Sequence, residues 1–414
     1  MSGDCCLFMI GTRRRKIVSI IIPVAILVAS FAVFNPILPR AAALQAHSNI
    51  LIVGNSEFTL ANGVVSGTGT SGDPYVISGW QINSSPTSIC VRIANTTAYF
   101  LMQNDSISCG NNGTGIIFDR VSNARLESSI VGGSGYTLQI SSSTNITLSG
   151  DTFYSGTYGN VDVTGTTHLT LKGNAIIGSG QGDGYSISKS KHVIISGNTV
   201  SSYYGSGVSD SSDVIISSDI ESAAYIEGVI FFERSTNVTV SDNSVQANLS
   251  YAIWFRNSNN TIVTNNRVTG GGVNGYSNWD QGIVLESSPI FQIIGNNVTL
   301  EAVGIHLFSS TTGHVYNNNL VNNTVQAQDD QPGQNSWDNG YPRGGNYWSD
   351  FKGTDKCSGP QQNICPSPDG IGDTTYTFSS SQDSYPLMKP FISDPPANGS
   401  TVGGGGGGRP PLRA

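Results

Sequence analysis

Charge is scarce in this 414-residue chain: Asp, Glu, Lys and Arg make up 12% of it, and 28 acidic side chains against 20 basic ones leave a formal charge of −8. That balance supplies no basic stripe and excludes a nucleic-acid-binding protein, whose affinity rests on neutralising phosphates. Methionine numbers 4, and only Met102 and Met388 follow the first 34 residues, so thioether ligands for a soft metal ion are nearly missing. Long apolar runs are missing too, with one exception near the N-terminus. Beyond that run no stretch repeats apolar residues at helical spacing, and nothing there reads as helix.

Abundant instead are Gly, at 50 residues, and Ser, Thr and Asn, the composition of turn-dense β-structure. A short sentence recurs in them. Asn237-Val-Thr-Val-Ser-Asp-Asn-Ser-Val245 has relatives beginning at Asn145, His168 and His192. Taking the seventh residue of each copy as marker gives Asn104, Ser129, Asp151, Asn174, Asn198, Asp219, Asn243, Asn266, Asn296 and Asn318, at steps of 25, 22, 23, 24, 21, 24, 23, 30 and 22 residues. A period in this range denotes a solenoid or a propeller. Inside each copy, apolar residues alternate with Ser, Thr and Asn, a strand signal of period two. Leucine-rich repeats need Leu at framework positions that here hold Val, Ile and Phe, so the pattern predicts an all-β, right-handed parallel β-helix of roughly ten coils. Asn in the marker column tolerates a left-handed turn, and stacked side chains can bond along the axis at the strand spacing of about 4.8 Å.

The domain organisation follows. Residues 1–16 end in Arg13-Arg-Arg-Lys16 and read as a cytoplasmic basic N-terminus; Ile17 to Phe34, eighteen uncharged residues, reads as a transmembrane or signal segment, with Ala41-Ala-Ala43 offering small residues for cleavage. A linker at 35–49 leads to an N-terminal cap at 50–87, the β-helix at 88–325, a C-terminal cap at 326–392 and a flexible Gly/Pro tail at 393–414. The exported part is expected to be membrane-anchored at the cell surface, or secreted if the segment is cleaved. Its four cysteines, in that oxidising setting, predict disulfides Cys90 with Cys109 and Cys357 with Cys365, on closeness in sequence. Eleven Asn-X-Ser/Thr sequons permit glycosylation.

Gly72-Asp-Pro-Tyr-Val-Ile-Ser-Gly-Trp80 before the coils, and Asn346-Tyr-Trp-Ser-Asp350, Asp369-Gly-Ile-Gly-Asp373 and Asp383-Ser-Tyr-Pro-Leu-Met388 after them, resemble the NosD-like right-handed β-helix proteins, especially those of archaeal surfaces, over roughly residues 55 to 392. The coil motif alone marks the wider class of carbohydrate-binding and sugar-hydrolase β-helices. The resemblance implies an exported β-helix, with a copper-related periplasmic role as one reading. Relatives often carry an Asp-rich run before Gly-Ile-Gly-Asp, where this chain has the Cys-bounded loop with Ser367 and Pro368.

Counting back from each marker places Phe231, Trp254, Val284 and His306 in one outward column and Glu233, Arg256, Glu286 and Phe308 in the next. Earlier coils put Gln139, Asp162, Ser186 and Gly207 in the first column. The long step between Asn266 and Asn296 adds a loop bearing Tyr276 and Trp279. Rings beside charged groups suit sugars, which stack an apolar face and need polar partners for hydroxyls. The expected function is therefore a non-catalytic surface protein recognising polysaccharide or surface glycan, with a polysaccharide lyase or glycoside hydrolase as the alternative. Glu233 and Glu286 are two coils apart, about 9 to 10 Å, near the wide limit for an inverting pair. Arg256 between them spoils the general acid, and the Gly-His-Gly and Arg-Ile-Lys signatures of β-helix polygalacturonases are absent. The bland alternative is a salt-bridge ladder of Glu233, Arg256 and Glu286 shielded by rings. Asn145, His168, His192, Asp213 and Asn237 form another column, either a polar turn or a transition-metal site. Asp369 and Asp373, spaced around glycines, could contribute to a Ca²⁺ site or to a plain turn.

Overall fold

The computed structural model describes residues 43–84, 89–110, 112–154, 156–178, 182–224, 228–271 and 280–392. The apolar segment 17–34 and the tail 393–414 lie outside the described residues, and among the described ones no helix is long and apolar enough to cross a membrane. The chain winds through about eleven turns of a right-handed parallel β-helix. Each regular turn gives one strand to each of three sheets: around Asn243 these are Ile230–Glu233 in the first, Thr236–Ser241 in the second and Ser244–Ala247 in the third. Strands pair in parallel and in register with the next turn, Ile230 opposite Ile253, Val238 opposite Thr261 and Val245 opposite Val268.

Register and period two together decide what is inside. Ile230, Phe232, Ile253, Phe255, Ile283, Leu285, Ile305 and Leu307 all point inward and are fully buried. Phe232 and Phe255 stack with centroids 4.5 Å apart, one step of a core that runs through every turn. Parallel pairing begins earlier than the regular motif, since Ile50–Val53 already pairs with the strand carrying Val91 and Arg92. Over that first turn, an antiparallel Val64–Ser66 and Tyr75–Ser78 pair, the Trp80 indole bonded to Gly63 O at 2.7 Å, and Phe58 stacked on Tyr75 cover the core.

The corners are built from paired devices. Between second and third sheets a left-handed residue (Gly150, Gly173, Gly197, Ser218, Asp242, Asn265) precedes the marker, so the positive φ falls one place before the Asn rather than on it. The marker itself is buried and bonds along the axis. Asn243 N–H donates to Asn266 Oδ1 at 3.0 Å, and Asn243 Nδ2 donates to the same oxygen at 2.9 Å and to Ile216 O at 3.0 Å. The first rung is Asp105, not Asn104: Asp105 accepts from Trp80 N–H, while Asn104 takes the left-handed place. The last is Asn346, whose N–H donates to Asp383 at 2.7 Å. A second ladder stands at the corner between first and second sheets, where Ser190 N–H donates to Ser211 Oγ, Ser211 to Ser235, Ser235 to Ser258, Ser258 to Ser288 and Ser288 to Ser310.

The C-terminal lid uses the residues of the end motifs. Trp337 and Trp348 are buried over the last turn, their indoles donating to Asp329 and Asp383 at 2.8 Å, and Tyr376 stacks on Trp348 at 4.3 Å. Gly345 lies against Asp383, where a Cβ would sit 1.9 Å from Oδ1, so no other residue fits without displacing the lid. Both disulfides form as paired above: Cys90 to Cys109 ties the first sheet to the third inside the second turn, and Cys357 to Cys365 closes a short loop of the lid.

Three expectations follow from this frame. Asn243→Leu leaves buried N–H and C=O groups unpaired and should cost about 1 to 3 kcal/mol in denaturant unfolding; an unaltered midpoint would mean that the ladder contributes nothing. Peptide mapping without reduction should recover both disulfide-linked pairs, and free thiols at the four positions would contradict them.

The third concerns pH. Asp105, Asp151 and Asp219 replace Asn in the ladder, and in each Oδ2 is buried without a partner. Burial pushes their carboxyls up to about 7, about 7 and about 6, against the pull of the backbone N–H groups they accept from. Folded values thus lie above the unfolded value of about 3.9. The stability of the protonated ladder is complete below about pH 4 and is lost as pH rises to about 7. The Tm should therefore fall over that window, and Asp151→Asn with Asp219→Asn should flatten the fall; an identical profile in the amide variant would refute the assignment.

Candidate functional site

The outward face of the first sheet carries the predicted columns. Register puts Gly207, Phe231, Trp254, Val284 and His306 in one row and Ser209, Glu233, Arg256, Glu286 and Phe308 in the next. Phe231 and Trp254 are half-buried with ring centroids 4.6 Å apart, and Tyr251 meets Trp254 edge-on at 4.8 Å. The Arg256 guanidinium lies over both rings, 5.3 Å from Phe231 and 5.2 Å from Trp254, and donates to Glu233 Oε1 at 2.6 Å. Arg234, from the adjoining corner, reaches the same oxygen at 2.8 Å and Asp210 at 2.7 Å.

Rings and charges are therefore one assembly. Among the described ion pairs Arg256, lying over Phe231 and Trp254, meets Glu233 and none joins it to Glu286, so the three-member charge ladder is incomplete. Burial, with the charge of Glu286, raises the Tyr251 phenol above its ordinary value. Val284 is only 4% exposed, so it interrupts the aromatic row between Trp254 and His306. His306 turns to Gln281, donating from Nδ1 to Oε1 at 2.8 Å, and burial lowers its pKa. Phe308 is exposed at the far end of the second row. Tyr276 and Trp279 lie outside the described residues.

On the N-terminal side of Phe231 the row drops from rings to Gly207 and Ser186, and this step encloses a cleft of about 200 Å³. Phe231 walls one side, and Asp183, Tyr204 and Glu233 add polar groups. A Cβ on Gly207 would meet nothing within 4 Å, so the glycine leaves room rather than relieving strain. One turn further along the same row, Asp162 accepts from Gln139 Nε2 at 3.3 Å, and burial raises its carboxyl. The shrinking row Gln139, Asp162, Ser186, Gly207 was visible in the repeat. Asp183, at the start of the first-sheet strand Asp183–Ser188, and Tyr204, on the corner before the next such strand, were missed, because the repeat marks neither the strand's first residue nor the corner.

The other candidates resolve differently. His168 and His192 lie 4.9 Å apart, His192 Nδ1 is 3.4 Å from Asp213, and every member of that column has a left-handed backbone, which favours Asn, Asp and His there. They rim a groove of about 460 Å³ floored by Thr170, Ile194 and Ile215. Asp373 spends both oxygens on the N–H groups of Cys357 and Lys356, and Asp369 accepts from Ile371 N–H, so both act as turn acceptors. Among the described residues no group of three or more His, Cys, Asp or Glu is arranged to hold a metal ion.

Comparison with known proteins agrees with this architecture. Residues 160–353 match the family model described as periplasmic copper-binding protein (NosD), and residues 89–220 match that of the right handed beta helix region. No functionally curated protein matches the sequence. Among solved structures, the A-modules of two Azotobacter vinelandii mannuronan C-5 epimerases superpose with a TM-score of 0.51 each, at 12% and 14% identity, covering 66% and 63% of this chain and 87% and 81% of theirs. At such identity the likeness is one of fold. The chain is a right-handed parallel β-helix that is similar to the NosD family over residues 160–353 and to the right handed beta helix region over residues 89–220.

Proposed function

We propose that the protein is a non-catalytic glycan-binding β-helix, displayed at the cell surface or secreted, that takes a polysaccharide on the first sheet around Phe231 and Trp254. One observation carries the reading: two half-buried rings in adjacent turns, 4.6 Å apart, with the Arg256 and Glu233 pair beside them and a cleft of about 200 Å³ at their foot. Sugar rings stack on aromatic faces while their hydroxyls bond to polar neighbours. Glu233, held by two guanidinium groups, is engaged as an acceptor rather than available as a general acid.

Copper, which the matched family's description names, does not suit the described side chains. Cys90, Cys109, Cys357 and Cys365 are disulfide-bonded and Met102 is fully buried, which leaves the half-buried Met388 as the one soft donor within reach of an ion among the described residues.

A glycan-array screen followed by titration calorimetry tests the proposal. Trp254→Ala should weaken binding by about 1 to 3 kcal/mol, the loss of a large aromatic anchor, while the Tm stays close to that of the unaltered protein. Binding unaffected by Trp254→Ala and Phe231→Ala would move the site elsewhere. Release of reducing ends or unsaturated uronates from a polysaccharide panel would overturn the non-catalytic part and favour the hydrolase or lyase alternative.

A further inference from the structure

The third-sheet strand Ile220–Ala223 carries an acid where its neighbours are apolar. Its inward residue, Glu221, is 1% exposed and pairs with Val200 on one side and Val245 on the other. The first sheet departs from its pattern in the same part of the core: Tyr185 follows Val161 on the inward row, and Ser206 precedes Ile230. The Tyr185 hydroxyl donates across the core to Glu221 Oε1 at 2.8 Å, while Oε2 is buried with no partner. The polar groups that face Glu221 are Tyr185, Ser206 and Asp219. From the second sheet the inward residues of these turns are Val193, Ile195, Val214 and Ile216, all apolar. Among the described residues no lysine, arginine or histidine is buried, so an ionised Glu221 would have no counter-ion. A carboxyl in such a place holds its proton. Burial pushes it up to about 8, with Asp219 adding to the rise and the Tyr185 and Ser206 hydroxyls opposing it. Ser206 and Gly207 both line the cleft at the foot of Phe231, so this cluster lies under the floor of the candidate site.

We infer that Glu221 is a proton-operated hold beneath the cleft: neutral, it ties the third sheet to the first through Tyr185 and keeps the floor at Gly207 in place, and ionised, it loosens that floor and releases a bound glycan. The release rests on the glycan-binding reading above. A charge formed there meets no cation and draws in water instead. Water can enter past the strand Ser206–Ser209, where Gly207 puts no side chain over the backbone. The folded carboxyl lies above the unfolded value of about 4.3. Its contribution to stability is therefore complete below about pH 4 and gone by about pH 8.

The test compares the full chain with Glu221→Gln, which keeps an acceptor for Tyr185 and cannot ionise. Infrared difference spectra between the two at neutral pH should show the carbonyl stretch of one protonated carboxyl, lost as the pH rises past about 8. Calorimetry against glucan, mannan, xylan, galactan and polygalacturonate reads the cleft. The affinity of the unaltered chain for the polymer it binds best should fall about fivefold or more over the same rise, and that of Glu221→Gln should stay level. A Glu221 already ionised at neutral pH, or an affinity that falls equally in both proteins, would overturn the hold. Should Glu221→Gln fail to fold, judged by circular dichroism, Asp219→Asn serves instead, since Asn is the residue most rungs of the ladder carry. Removing the like charge beside Glu221 should move the midpoint of the affinity loss to lower pH, and an unmoved midpoint would overturn the hold. No polymer bound at any pH would overturn the glycan reading and the release with it, while the infrared titration would still decide whether Glu221 carries the proton.

Discussion

One backbone group per turn governs this molecule: the N–H of the residue that enters the third sheet. It is buried at a sharp corner, where it can neither reach water nor join a strand ladder, and an unpaired group there costs of order 1 to 3 kcal/mol. The side chain of the same position one turn later meets it. Asn243 receives Asn266, Asn266 receives Asn296, and the series runs from Trp80 to Asp383. Asn is the best occupant because it accepts the N–H with Oδ1 and still donates from Nδ2 to the strand above. Asp accepts the N–H in the same way but leaves its other oxygen buried without a partner, and burial drives Asp105, Asp151 and Asp219 toward neutrality.

Because the ladder sets the spacing, loops may lengthen without loss of register. The thirty-residue step between Asn266 and Asn296 still brings the two side chains within 2.9 Å. Outward positions are thereby freed from structural duty, and the first sheet changes from Ser186 and Gly207 to Phe231 and Trp254 across two turns with no change in backbone pairing. The cleft is a consequence of that step in side-chain height, superposed on a frame that stays periodic.

The ends obey the same constraint. A ladder has to stop, and its last N–H, on Asn346, is taken by Asp383 from the lid. Asp383 also receives the Trp348 indole, so one carboxylate both ends the ladder and fastens the ring that covers the open core. That is the physical content of the Asn-Tyr-Trp-Ser-Asp and Asp-Ser-Tyr-Pro-Leu-Met motifs, far apart in sequence and joined at one carboxylate.

The repeat by itself determined the solenoid, the number of turns to within one, the inward residues and the two outward rows, because strand alternation and a fixed period convert sequence distance directly into position. The cysteine pairing was equally legible from closeness in sequence. What lay beyond reach was whatever depends on a side chain choosing between neighbours or on a segment without period. The repeat placed Arg256 between two glutamates, and only the tertiary structure decided that stacking on Phe231 and Trp254 aims its guanidinium at Glu233. It likewise displaced the first rung from Asn104 to Asp105, since the left-handed residue precedes the ladder residue at each corner from Asp105 to Asn318. Ser211 and Ser235 form a second ladder that exists only once the corners are stacked, and serine is too common in this chain for its position to announce it. Tyr204 joined the cleft from a corner, and Asp183 from the first residue of a first-sheet strand, and no pattern in the chain marks where such a corner will come to rest.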